Sequence, residues 1–307
     1  MKRNSVKTGM LDQRNRATQR RRKHPLHSVE PSETKLIKWL KINAIDETDL
    51  GSINLTDYLR ETQIFEILPE ERLRQLAIYL EFEALGLLGK SGWEALKRIY
   101  KCALKLNEND EHVWLSMGIS AHTMADAQEK AKDQKSIYQE KKYAILNALN
   151  IKPNWSRAHY SLGYLYYFQG KEQVALNEFE KALICEDDDN IHAWAQLYKA
   201  HCLHDMHQWE KALYAYKLVN LSVFNGYTSW RIDVLREQIA ECTYKIGNKK
   251  EAQKMLIKIF ERYEIEPSLA FNAMSISLWS LAKYLSPDLL IRAKIIEEKA
   301  FNKAINC

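Results

Sequence analysis

The residues best suited to chemistry gather between His192 and His207. His201, Cys202, His204 and Asp205 lie close together, with His207 just beyond them and His192 upstream. On a helix His201 and His204 share a face at i, i+3, and imidazole and thiolate are common zinc ligands. A zinc site needs a second pair of ligands, and none stands at a recognisable spacing. His207 itself falls where a turn between helices is expected. The cluster reads as a histidine-rich ligand-facing or solvated surface, and no metal or cofactor is expected. The acidic run Glu186-Asp187-Asp188-Asp189 lacks the spaced oxygen ligands around a Gly turn that calcium requires. It reads as a solvated loop in which Asp189 or Asn190 caps the following helix. No GxxxxGKS, GxxxxGKT, GxGxxG, GxSxG or HExxH occurs. No acid stands isolated on an apolar helix face at a spacing that suggests a general acid and base. An enzyme is not expected.

Charge is concentrated at one end. The first 30 residues hold nine basic residues against Asp12 and Glu30, a net of +7, so the remaining 277 carry −2 of the total +5. Arg14, Arg16, Arg20, Arg21, Arg22 and Lys23 dominate this arm, which spans residues 1–31 and closes with Pro25 and Pro31. It has too little apolar surface to offset the entropy of ordering, so disorder is expected there. Three roles suit it: following an RNA or DNA backbone, a short basic nuclear address, or an acidic protein partner. The arm lacks the apolar segment of a secretory signal and the apolar stripe of a transit helix. No stretch approaches the ~20 apolar residues of a membrane span. Five cysteines, odd in number and without a CxxC pair, suit free thiols in a reducing compartment. The expected location is cytoplasmic, or nuclear in a eukaryote, with no membrane partner.

The elements that would position these residues are helical. Ten Gly and six Pro in 307 residues are about half the usual share, which argues against turn-rich sandwiches and Gly-rich nucleotide folds. Apolar residues recur at three- and four-residue spacing, and no run alternates with period two for long enough to form a strand. Ser32, Asn54 or Thr56, and Pro69 mark helix starts within residues 32–76. The segment from Ser156 to Asp189 carries Leu162-Gly163, Tyr166, Gly170, Ala175, Phe179 and Ala182 within 34 residues. It resembles the tetratricopeptide repeat family, whose unit has small and large residues at those offsets. Gly163 and Ala175 then mark a close crossing of two antiparallel helices, while Tyr166, Phe179 and Ala182 fill the seam.

Weaker matches flank this unit. Trp114, Met117 and Gly118 fit a unit from Glu111 whose second helix ends with Ala148, Leu149 and Pro153, provided 11 extra residues are accommodated near 124–135. Those extra residues are close to three helical turns, so lengthening the helices by that amount keeps the packing face in register, and the charged insert reads as a protruding hairpin tip. Trp93, Leu96, Tyr100 and Ala103 suggest a unit from about Ala77. Ala200, Trp209, Ala212 and Tyr216 suggest one from Ala193, and Ala240, Gly247, Ala252 and Leu256 one from Asp233 to Pro267. The resemblance implies an all-α, right-handed α-solenoid of antiparallel helix pairs. About five repeat units would span 77–267, with capping helices at 32–76 and at 268–307, the last split at Pro287.

The resemblance also implies where a partner would bind. In this family positions 2, 5, 9 and 12 of each first helix line a concave groove. Carried over, these are Arg157, Tyr160, Tyr164 and Tyr167, then Trp194, Leu197, His201 and His204. The flanking units contribute His112, Leu115, Ile119 and His122, and Val234, Glu237, Glu241 and Tyr244. Tyr and Trp join large apolar area to a polar handle, so the stripe suits an extended peptide or helix. The same aromatics would equally fill the seams between helices. The Lys and Asn clamp of the family's chaperone-tail binders is missing from the matching positions. The expected function is a non-catalytic scaffold holding a protein segment, with the arm on an anionic partner. The alternative is an RNA-binding or RNA-processing factor whose aromatics stack on bases.

Overall fold

In the computed structural model, residues 100–126, 131–185, 187–225, 230–266 and 286–305 are described, together with Lys97 and Ala282. The basic arm, the helices expected over 32–76 and the start of the unit from Ala77 lie outside the described residues, as does nearly all of 268–285. Among the described residues every regular element is helical. After a helical stretch at 100–106 come α1 (Glu111–Asp126), α2 (Ala131–Ile151), α3 (Ser156–Phe168), α4 (Glu172–Ile184) and α5 (Asp189–Asp205). Then follow α6 (Trp209–Lys217), a short 3-10 turn (Leu221–Val223), α7 (Trp230–Lys245), α8 (Lys249–Ile265) and α9 (Pro287–Ile305). No described helix is long and apolar enough to cross a membrane. The chain divides into two compact units, Met1–Leu165 and Tyr166–Cys307.

In the first unit α1 starts at Asp110, whose carboxylate accepts the N–H groups of His112 at 3.0 Å and Val113 at 3.1 Å. These are two of the four donors a helix start leaves without an internal partner. Val113, Leu115 and Met117 of α1 are buried, as are Ile137, Ala144, Ile145 and Ala148 of α2. The two helices cross so closely that a Cβ on Gly118 would stand 2.6 Å from Ile145 Cγ1. Here the 11 extra residues are accommodated as their count of helical turns implies. The helices are 16 and 21 residues long, against 13 each for α3 and α4, and α1 runs to Asp126 while α2 begins at Ala131. The extra residues therefore lengthen both helices. Three turns of added helix keep the packing stripe in register, so Ala148 and Ile145 still reach the core.

In the second unit the repeat register is plain in the small residues. Ala175, Ala200, Ala212, Ala240 and Ala252 are all fully buried at the offsets where two helices must approach closely. Each pair closes with the same turn. Gly170 N–H donates to Tyr167 O and Lys171 N–H to Tyr166 O, both at 3.0 Å. Gly247 to Tyr244 and Asn248 to Thr243 repeat the pattern at 3.0 Å, and His207 to His204 with Gln208 to Leu203 repeats it at 2.9 Å. This helix-ending motif needs a left-handed residue, and Gly170 (φ 69°) and Gly247 (φ 94°) supply it without a Cβ penalty. At α5–α6 the place is taken by His207, at φ 61°. Helix α5 is capped by Asp188, whose side chain accepts from Asn190 N–H at 2.9 Å and Ile191 N–H at 3.2 Å. The acidic run thus supplies a cap one residue before the expected Asp189 or Asn190. At the far end α9 lays Leu289, Ala293 and Ile296 against Leu256, Phe260 and Tyr263 of α8. Arg292 fastens this contact with two hydrogen bonds to Glu264, at 2.9 and 2.8 Å.

Candidate functional site

Two sets of the expected partner-binding residues are in different states, one in each unit. In the first unit Arg157, Tyr160 and Tyr164 are all half-buried on α3. The Tyr160 and Tyr164 rings lie side by side, centroids 5.9 Å apart. Beneath them comes Lys141, at the offset of α2 that carries alanine in the other pairs. Its side chain is 2 % exposed, and its Nζ sits 5.5 Å from the Tyr164 ring centroid. A cation held against a ring fixes that ring's position. Ser161 Oγ donates to the Arg157 carbonyl at 2.8 Å, so its hydroxyl is satisfied within α3. Of the neighbouring inward positions His112 is half-buried and packs edge-on against Trp155 at 4.9 Å, whereas Leu115 is buried in the core.

In the second unit the expectation of ligand-facing side chains does not hold for Tyr167, His201 and His204. They are 6 %, 8 % and 6 % exposed. Tyr167 packs edge-on against Tyr198 at 5.5 Å and donates its hydroxyl to Asp205 Oδ2 at 2.9 Å. His201 Nδ1 lies 2.8 Å from the Tyr216 hydroxyl, which in turn donates to Gln238 Oε1 at 3.3 Å. With the proton on Nδ1 the three groups form an unbroken relay from α5 through α6 to α7. His204 Nε2 meets Glu241 Oε2 at 3.0 Å, and its ring also packs on Trp209. Next along, Tyr263 donates to Glu237 at 2.7 Å, joining α7 to α8. Buried polar atoms must be paired, and these are paired across successive helices. The stripe is a structural seam.

The charge state of that seam follows from its geometry. Burial alone would push the His204 pKa down, but hydrogen bonds to Asp205 and Glu241 outweigh it and raise it from 6.5 to about 9. His204 is therefore a buried cation at neutral pH. Cys202 and Cys242 are thiols held protonated by burial, reinforced by nearby Asp205 and Glu241 respectively, and Cys242 is pushed up to about 12. Neither is a ready nucleophile. Among the described residues no group of three or more His, Cys, Asp or Glu side chains is placed to hold a metal ion. The histidines of the cluster have instead found Tyr216, Glu241 and, for His192, the Cys185 carbonyl.

Trp194 stands between these extremes. It is half-buried, its edge against Phe224 at 4.9 Å, and its face is covered by the Arg231 guanidinium at 4.5 Å. Arg231 also lies 4.6 Å from the Trp230 ring, so the cation stacks on two indoles. Sequence reasoning passed over Lys141, Gln238 and Arg231. The available signal was complementarity: an inward histidine in one unit, His204, is followed by an inward acid in the next, Glu241. The arm residues Arg14, Arg16, Arg20, Arg21, Arg22 and Lys23 lie outside the described residues.

No sequence-family model matches the chain, and no curated protein matches it. Solved structures do. PilW, a widely conserved type IV pilus biogenesis factor, is similar with a TM-score of 0.52 at 17 % identity, over 78 % of this chain and 92 % of its own. YrrB, a TPR protein with an unusual peptide-binding site, gives 0.47 at 17 % identity over 72 % and 98 %. A thermophilic TPR protein in Thermus thermophilus gives 0.44 at 16 % identity over 62 % and 89 %. With small-residue crossings and identical pair-closing turns recurring along the chain, the fold is that of a tetratricopeptide-like all-α solenoid.

Proposed function

We propose that the protein is a non-catalytic helical-repeat scaffold. It holds an extended segment of a partner protein on the face of α3 that carries Arg157, Tyr160 and Tyr164. The observation that carries this reading is the paired, half-open tyrosines, with Lys141 fixed beneath one of them. Rings already held in place lose little freedom on binding, and tyrosine joins a large apolar face to a polar group. The guanidinium of Arg157 adds a planar donor for a backbone carbonyl or a carboxylate. The seam of Tyr167, His201 and His204 supports the scaffold and makes no direct contact with the partner. The arm at 1–31 tethers an anionic partner.

Peptide-display selection on the immobilised full chain tests the tyrosine face. Selected peptides are expected to lose binding to Tyr160→Ala/Tyr164→Ala with the helical content intact. Retention of those peptides by the folded double variant overturns the assignment. The arm is tested by titrating salt against binding of single-stranded RNA and of a polyglutamate peptide, with and without residues 1–30. Loss of salt-dependent binding to either probe in the shortened chain is expected. Equal binding by both chains sinks the tether, and RNA binding that also depends on Tyr160 and Tyr164 favours the nucleic-acid reading.

A further inference from the structure

The pair α7–α8 bears a feature that the scaffold reading leaves unused. Asp233 is 1 % exposed, and a single oxygen of its carboxylate, Oδ1, binds two guanidiniums: Arg236 Nη1 at 2.9 Å and Arg262 Nε at 2.8 Å. Its other oxygen, Oδ2, is buried without a hydrogen-bond partner among the described residues. The two arginines are about half exposed, so one buried acid fixes the stems of two cations whose heads reach solvent. They stand at the rim of a cleft of about 650 Å³ between the two helices, joined there by Lys258. The apolar lining of the cleft is Ile239, Met255, the buried Ile259 and Ile265. Ile265 is 86 % exposed, so an aliphatic side chain at the cleft stands open to solvent beside the cations. Glu266 is the one acid among the described residues lining the cleft. The inward positions of α7, Val234, Glu237, Glu241 and Tyr244, do not line the cleft.

We propose that this cleft docks an acidic amphipathic segment of a partner protein, its carboxylates on Arg236, Lys258 and Arg262 and an apolar side chain on Ile239, Met255 and Ile265. The charge and the apolarity select the occupant together. A bare anion would leave the exposed Ile265 wet, and a purely apolar segment would cover Lys258 and two half-exposed guanidiniums that share a single carboxylate without supplying an acid, which costs desolvation. Asp233 makes the arrangement rigid. A guanidinium already tied by one hydrogen bond keeps further N–H donors for a ligand and gives up less entropy when it is bound. The open form of the cleft, with its cations and Ile265 reaching solvent, suits the side chains of an apposed protein surface better than an enclosed small molecule.

The test uses the full chain and three labelled peptides of equal length built from Glu and Leu, Gln and Leu, or Lys and Leu, read by fluorescence anisotropy. Saturable binding of the Glu/Leu peptide that weakens as salt is added is expected, with the other two binding far less. Lys258→Glu and Ile265→Glu avoid the Asp233 contacts, so folding is preserved, and each is expected to weaken the Glu/Leu peptide by about tenfold or more. Tyr160→Ala/Tyr164→Ala is expected to leave this binding unchanged, which keeps the site separable from the tyrosine face. The proposal is overturned if the Glu/Leu peptide fails to bind, if the Gln/Leu peptide binds as tightly, or if neither Lys258→Glu nor Ile265→Glu changes the affinity. It is overturned equally if phosphatidylserine vesicles bind through Lys258 while the Glu/Leu peptide does not.

Discussion

Tyr160, Tyr164 and Tyr167 follow one another at helical spacing on α3, yet they divide into two kinds of residue. The first two are half-open, beside each other and over a buried lysine of α2. The third is enclosed by Tyr198 and His201, and its hydroxyl is consumed by Asp205. The same contrast extends along the second unit, where His201 and His204 are bound to Tyr216 and Glu241. An aromatic stripe on one helix does not become a binding surface by spacing alone. The proposed surface lies where the rings are half-exposed, one of them beside a buried lysine.

Substitution of the enclosed member sets the largest contrast. Tyr167→Ala removes a buried ring and its hydrogen bond to Asp205, so chemical denaturation is expected to show a loss of about 3–5 kcal/mol. Tyr160→Ala, at the half-open end, is expected to cost no more than about 1 kcal/mol. Comparable losses for the two would erase the distinction.

The buried cation gives the seam a pH signature that the tyrosine face lacks. His204 has a folded pKa of about 9 against an ordinary 6.5. A raised folded pKa means that the stabilising contribution is full below the ordinary value and disappears as pH rises through the folded one. Unfolding free energy is therefore expected to fall between pH 6.5 and pH 9, the pKa values that bound the loss. The loss amounts to about 3 kcal/mol at most. His204→Gln should flatten this slope, and a slope that survives the substitution would place the titrating group elsewhere.

Two smaller effects probe the frame that carries these regions. Gly118→Ala pushes a methyl into Ile145 at the α1–α2 crossing, and thermal melts are expected to show about 1–3 kcal/mol of destabilisation. His207→Gly relieves a left-handed backbone that the other pairs give to glycine, and is expected to stabilise by up to about 1 kcal/mol. Destabilisation by His207→Gly would mean that its ring contact with Trp209 outweighs the strain.

Much of the frame was legible because local chemistry dictates it. Small residues at crossings, Gly170 and Gly247 at pair-closing turns, and an acidic cap before α5 each follow from packing or backbone geometry within a few residues. Lengthening of α1 and α2 was legible in the size of the insert, since 11 residues are close to three helical turns. The exposure of the aromatics was the least legible. Tyr167 is closed by α5, some thirty residues later in the chain, and the partner of His204 is Glu241, 37 positions away. Helical spacing assigns a side chain to a face, whereas the neighbour that covers the face is set by tertiary packing.

The central claim, that α3 binds through Tyr160 and Tyr164 while Tyr167 belongs to the core, is tested most directly by one paired measurement. Affinity for a display-selected peptide and the thermal midpoint are recorded together for wild type, Tyr160→Ala/Tyr164→Ala and Tyr167→Ala. Predicted is a double variant that melts within a few degrees of wild type but no longer binds the peptide, beside a Tyr167→Ala chain whose midpoint drops by about 5 °C or more. A double variant that keeps wild-type affinity, or one that loses as much stability as Tyr167→Ala, would contradict it.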